Sequence, residues 1–164
     1  VFYSRQERQA CLPASHMTSE FEPRDPDFKT RITQSFADQA IMQTIGASLL
    51  EVRPGQVEIG LPFDRRLTQQ DQFIHAGVSS TIMDSACGYA AFSLMPAEAR
   101  VLTIEFKINL LAPAAGERFR AIGKVLKPGR SVFVAEAELY AESGHNSKLV
   151  ATMVATLMAV VSND

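Results

Sequence analysis

After Pro96 the sequence keeps to the two-residue alternation of β-strands and never resumes a helical spacing. VLTIEFKINLLAP sets Leu102, Ile104, Phe106, Ile108 and Leu110 against Thr103, Glu105, Lys107 and Asn109 on alternate faces. ERFRAIGKVLK, SVFVAEAELYAE and KLVATMVATLMAVV follow, separated by Pro128-Gly129 and by the polar stretch Ser143-Gly144-His145-Asn146-Ser147. Strands joined by such short connections form an antiparallel sheet rather than alternating parallel units. Any helix that covers this sheet must therefore come from before Pro96.

The segment from Phe73 to Met95 supplies it. Ile74, Val78, Ile82, Ala86, Tyr89 and Ser93 recur every three or four residues, which predicts one long helix. A second stripe of Gly77, Ser80, Thr81, Asp84, Cys87 and Gly88 is small enough to let another surface or a ligand come close, and plain helix packing accounts for the same pattern. Upstream, Ile32, Phe36, Ala40 and Ile41 predict a first helix over Arg31 to Ile45, capped by Gly46. SLLEVRPGQVEIGLPF reads as a hairpin turning at Pro54-Gly55. The prolines of Glu20 to Thr30 predict irregular chain. Residues 1–27 are set aside as an N-terminal extension, disordered or in part a cloning remnant, since Ser15-His16-Met17 reads equally as a cloning junction and as native sequence. Residues 28–164 form the domain, of α+β class.

Apolar residues at both parities in VFVAEA and LVATMVATLMAVV imply contacts on both sheet faces, one against the helix and the other against a second subunit. The 164 residues suit one domain. A net charge of −2 leaves no positive field for a nucleic-acid backbone. No apolar run is long enough for a spanning helix, because Leu149 to Val161 is broken by Thr152 and Thr156. The first twenty residues lack the apolar core and cleavage site of a secretory signal, so a cytoplasmic location and no membrane partner are expected. Neither Cys11 and Cys87 nor His16, His75 and His145 have metal-ligand spacing, and no glycine-rich phosphate loop occurs, so neither a metal nor a resident cofactor is expected.

Candidate chemistry centres on the long helix. Ala76 and Gly77 stand at its start, where amides lack intrahelical acceptors and could receive a developing oxyanion. Asp84, a carboxylate amid small and apolar neighbours, is costly to bury unless it is used or paired. Eight residues separate Ala76 from Asp84, about 12 Å along one helix, so they cannot serve one carbonyl within one chain. Two antiparallel copies of the helix would bring Asp84 of one subunit to Ala76 of the other. His75 reads as a general base or as a ring that holds the adjacent loop. Cys87 reads as a nucleophile or as core. Lys127 and Arg130 could meet a phosphorylated carrier or simply be solvated.

Gln69, His75-Ala76-Gly77, Asp84, the strand Thr103 to Pro113, Gly116-Glu117 and Gly129-Arg130, in this order, resemble the PaaI-like acyl-CoA thioesterases of the hotdog superfamily, over about Phe28 to Val161. The resemblance implies a long central helix wrapped by an antiparallel sheet. It also implies a homodimer, often a homotetramer, with two thioester sites across the dimer. It casts the Ala76 amide as the group that polarises the carbonyl and Asp84 as the base or nucleophile. Gln69 and Thr103 position the thioester or the water, His75 and Gly77 support the loop, and Arg130 receives the phosphate end of coenzyme A, which enters as part of the substrate. Ala76 departs from the family's glycine. It keeps the amide, adds a methyl group and disfavours positive φ. The implied activity is hydrolysis of an acyl-CoA thioester, by activated water or through an anhydride. The alternatives are a noncatalytic acyl-CoA-binding protein and a hotdog dehydratase or hydratase using His75.

Overall fold

The computed structural model describes residues 21–161. The extension's first twenty residues, with Cys11 and His16, lie outside the described residues. Two helices stand where one was expected. α1 (Phe28–Asp38) buries Phe28, Ile32 and Phe36, and α2 (Ala40–Ile45) buries Met42 and Ile45 before ending on Gly46 at φ 73°. Gln39 between them is extended, at φ −79° and ψ 95°. The reason is rotational. At about 3.6 residues per turn, an unbroken helix would carry Met42 and Ile45 away from the face that buries Phe36. The break turns them back to the core and leaves Ala40 and Ile41 outside, Ile41 at 45% exposure.

β1 (Ser48–Arg53) and β2 (Gln56–Pro62) make the expected hairpin, with Gly55 after Pro54 at the positive φ, 75°, of a type II turn. α3 (Ala76–Phe92) is the long helix, shorter at both ends than the periodicity over Phe73 to Met95 suggests. Its first three expected residues lie outside the helix, Phe73 in a bend and Ile74 and His75 in extended chain. Ile74 bridges Thr68 and donates to the Ala114 carbonyl, while His75 donates to that of Leu67.

β3 (Ala99–Leu110), β4 (Arg118–Lys127), β5 (Val132–Ser143) and β6 (Asn146–Val161) complete one antiparallel sheet in the order β1-β2-β4-β5-β6-β3. The stretch expected as a polar loop between β5 and β6 is mostly strand, because Ser143 pairs with Asn146 across a turn at Gly144-His145. α3 packs against β2, β3, β4, β5 and β6, so the sheet wraps the helix in the hotdog arrangement. The tightest crossing is at Gly123, where a Cβ would stand 2.3 Å from the Ala86 carbonyl group.

α1 runs antiparallel to α3 on its remaining side. Arg31 donates to the Phe92 carbonyl, Ser35 meets Tyr89 Oη at 3.3 Å, and Ser85 reaches Gln39 at 3.4 Å. On the sheet's outer face Arg120 pairs with Glu58 and Glu142. Val132, Val154 and Met158 leave that face apolar toward β3. β3 is a free edge carrying exposed Leu102, Ile104, Phe106 and Leu110, with Ile104 at 55%.

Candidate active site

α3 begins with an uneven distribution of its amides. His75 is the N-cap, and its Nδ1 accepts the Gly77 amide at 2.9 Å. The amides of Val78 and Ser79 go to the His75 carbonyl. The Ala76 amide finds no acceptor among the described residues, which makes it the free donor of the first turn, at the positive end of the helix dipole. An Nδ1 that accepts must be unprotonated, so the ring carries its proton on Nε2. Gly77 serves the same geometry, since a Cβ there would crowd His75 Nδ1 at 3.1 Å. Ala76 is an ordinary helical residue. Gln72 is the one non-glycine at positive φ among the described residues, so replacing the family's glycine strains nothing at Ala76.

Ala76 lines a cavity of about 540 Å³ together with Gln69, Phe73, Leu110 and Leu111. Its walls are mainly apolar. The Gln69 amide donates to the Phe73 carbonyl, and its side-chain Oε1 accepts the Asp71 amide, closing the turn that precedes the helix.

Asp84 lies in a second, smaller cavity of about 180 Å³, with Thr103 and Val101 from β3. Thr103 Oγ1 donates to Asp84 Oδ1 at 2.8 Å. Burial raises the Asp84 carboxyl above the ordinary aspartate range, and the Thr103 hydroxyl partly offsets that rise. The remaining lining is Ser35, Gln39, Ser85, Gly88 and Tyr89, a neutral hydrogen-bonding wall. Sequence reasoning missed this wall. Tyr89 falls in the stripe that helical spacing marks as apolar, and Ser35 and Gln39 lie on the polar side of the first expected helix. A polar pair four residues apart, opposite a lone helical carboxylate, is the signal that was available.

The expected site residues thus fall into two groups, Ala76 with Gln69 and Asp84 with Thr103, at different positions along one helix. Ser80 and Thr81, between them, turn their hydroxyls back to the carbonyls of Ala76 and Gly77. Arg130 belongs to neither cavity and lies exposed in the turn between β4 and β5. Cys87 is fully buried, and burial with the charges of Asp84 and Glu136 pushes its thiol far up, so it packs as a neutral core residue. Among the described residues no three His, Cys, Asp or Glu gather as a metal site, and no helix is long and apolar enough to cross a membrane.

Residues 71–148, which contain Ala76, Asp84 and Thr103 and begin just after Gln69, match the thioesterase superfamily. A crystal structure of a thioesterase family protein from Silicibacter pomeroyi is 52% identical, covering 82% of this chain and 99% of that one, with a TM-score of 0.81. A candidate esterase from Halobacterium salinarum is 30% identical over 118 residues, 68% of this chain and 78% of the relative. The PaaI protein of the E. coli phenylacetic acid degradation operon shares the fold at 18% identity, covering 82% of this chain and 94% of its own, with a TM-score of 0.73.

Proposed function

The chain belongs to the thioesterase superfamily, and from that membership we propose that it is an acyl-CoA thioesterase, cleaving the thioester to a carboxylic acid and coenzyme A. The observation that carries this reading is the amide of Ala76, which has no acceptor among the described residues and belongs to a residue that lines an apolar cavity. Such a donor fits a carbonyl oxygen that gains charge, and loss of one of this kind typically costs about 3 kcal/mol in transition-state stabilisation.

The working unit is a homodimer. Ala76 and Asp84 are separated by about 12 Å along α3 and cannot meet on one carbonyl within one chain. β3 offers the means of pairing, as a free edge with an exposed apolar row. Antiparallel association along it sets Asp84 of one protomer opposite Ala76 of its partner, twice by symmetry.

Thr103 holds Oδ1 of Asp84, and Oδ2 takes a proton from water. The resulting hydroxide adds to the carbonyl carbon, and the electron pair moves to the oxygen held by the Ala76 amide. The C–S bond then breaks, and the coenzyme A thiolate leaves and recovers the proton from Asp84. A carboxylate raised by burial is the better base for this step. Direct attack by Asp84 would instead pass through an anhydride, with release of the thiolate, and hydrolysis of that anhydride at the Asp84 carbonyl would leave an oxygen from labelled water in its carboxylate. Gln69 steadies the loop and the thioester beside Ala76. His75 supports by capping, and with Nδ1 committed to Gly77 it is poorly placed for the hydratase alternative.

Thiol release from short, medium, long and aryl acyl-CoA substrates tests the proposal. Asp84→Asn is expected to lose at least about 100-fold in kcat on whichever thioester the wild type cleaves best. Equal turnover by both proteins would refute the mechanism. Binding without turnover in the wild type would favour a noncatalytic acyl-CoA carrier.

A further inference from the structure

Ser79 of α3 is buried, at 1% exposure, and its Oγ makes no hydrogen bond among the described residues. Its neighbours Ser80 and Thr81 satisfy their hydroxyls locally, donating to the carbonyls four residues back at Ala76 and Gly77. At Ser79 that route is already taken. The carbonyl four residues back is that of His75, and the amides of Val78 at 3.0 Å and of Ser79 itself at 3.1 Å occupy both of its lone pairs. The capped first turn thus leaves this buried hydroxyl without a partner.

Ser79 also belongs to the wall of the apolar cavity beside Ala76. Its Oγ is not one of the fully enclosed side-chain polar atoms left without a partner, so the little exposure it has opens on that cavity. Phe73, Ile74, Leu110, Leu139 and Val150 stand around the same space, and no charged side chain lines it. Gln69, the other polar side chain of the wall, is half-buried, and its Oε1 is held by the Asp71 amide. A buried hydroxyl without a partner is destabilising in apolar surroundings, and a ligand oxygen placed in the cavity supplies the missing bond.

The place of Ser79 along α3 sets where on the ligand that oxygen stands. Ser79 follows Ala76 by three residues, about 4.5 Å of rise, and side chains at this spacing share a helix face. Helical side chains also lean toward the N-terminus, which brings the Ser79 hydroxyl back over the turn that carries the Ala76 amide. Two oxygens held by these two groups are therefore close neighbours in the substrate. We infer that the acyl group carries a neutral oxygen, hydroxyl or oxo, on its third carbon, and that Ser79 binds it while the Ala76 amide holds the thioester carbonyl. A serine hydroxyl can donate to an oxo group or accept from a hydroxyl. An oxygen at the far end of the chain would pass Ser79 and meet apolar wall, and a carboxylate there would meet no cation. This inference rests on the thioesterase reading and names its substrate class, with Ser79 as the residue that sets specificity.

The test compares hexanoyl-CoA, 3-hydroxyhexanoyl-CoA and 6-hydroxyhexanoyl-CoA, three esters that differ only in the presence and place of one oxygen. Wild-type kcat/KM for the 3-hydroxy ester is expected to exceed that for each of the others about tenfold. Ser79→Ala should cut this preference at least about threefold through a fall on the 3-hydroxy ester, while Ser79→Thr, which keeps a hydroxyl, retains most of it. Ser79→Ala removes only an unpaired buried hydroxyl, so its thermal melt should come no earlier than that of the wild type. A wild-type preference near one, a preference for the 6-hydroxy ester, or a preference that Ser79→Ala leaves intact overturns the inference. Titration with the S-hexyl and S-(3-hydroxyhexyl) thioethers of coenzyme A, which cannot be hydrolysed, decides the matter even if no thioester is cleaved. Tighter binding of the hydroxylated thioether, lost in Ser79→Ala, keeps the Ser79 site while the thioesterase reading fails. Equal binding of the two thioethers, with all three esters cleaved alike, removes the site and keeps the thioesterase reading.

Discussion

Burial holds the Asp84 carboxyl above the ordinary aspartate range and the Thr103 hydroxyl draws it part of the way back. An acid whose folded pKa is raised binds its proton more tightly in the folded than in the unfolded state. Its stabilising contribution is present below the unfolded pKa and is lost as pH rises through the folded one. At neutral pH the charged Asp84 therefore weakens the fold, and Asp84→Asn should raise Tm while turnover collapses. Asn keeps an acceptor for Thr103, so no hydrogen bond is lost to obscure the sign. Thermal melts of both proteins at pH 7 and well below the ordinary aspartate range check this, with the mutant's advantage shrinking in acid. Thr103→Val removes the one interaction that lowers the Asp84 pKa. The acid limb of kcat/KM should move to higher pH, and a limb that stays in place would separate Thr103 from the base. Both residues were legible from the order of motifs along the chain. The contact between them was not, because it joins a helix to a strand nineteen positions away and depends on how β3 lies against α3.

At the scale of elements, α3 is held at its start by one side chain and along its length by one missing side chain. His75→Ala removes the cap and should cost about 1 kcal/mol, with a loss of kcat as the first turn loosens around the Ala76 amide. His75→Asn restores a capping oxygen and should recover most of both, as read by denaturant melts alongside thiol release. Gly123→Ala would drive a Cβ into the Ala86 carbonyl, and since that neighbour is helix backbone the sheet and α3 must separate. A loss of about 3 kcal/mol or failure to fold is expected, measured by urea unfolding. The strands were legible because one residue in two faces α3 along most of β4, β5 and β6, and that alternation is local. The division of α1 from α2 was not legible. Ala40 and Ile41 continue a helical spacing, and only the direction of the core, set by β1 and α3, makes Met42 and Ile45 the buried pair.

At the scale of the molecule, the distribution of Ala76 and Asp84 along one helix decides whether catalysis belongs to a chain or to a pair. The two residues can be disabled separately without touching the fold. Asp84→Asn removes the base. Ala76→Pro removes the amide at the first helical position, where proline is tolerated, and His75 before it already has the extended backbone, φ −62° and ψ 141°, that proline requires. Each homodimer should be inactive, since every site lacks either its base or its donor. In a mixed dimer one site combines Asp84 from the proline chain with Ala76 from the asparagine chain and is whole, while the other lacks both. Unfolding and refolding the two proteins together in equal amounts yields about half mixed dimers, each with one of two sites intact, and should restore about a quarter of wild-type turnover per chain. Sites built within single chains would recover nothing on mixing. Leu102→Lys with Ile104→Lys, which charges the free β3 edge, should leave monomers by light scattering and abolish turnover. A monomer that still cleaved thioester would place the whole reaction inside one copy of α3.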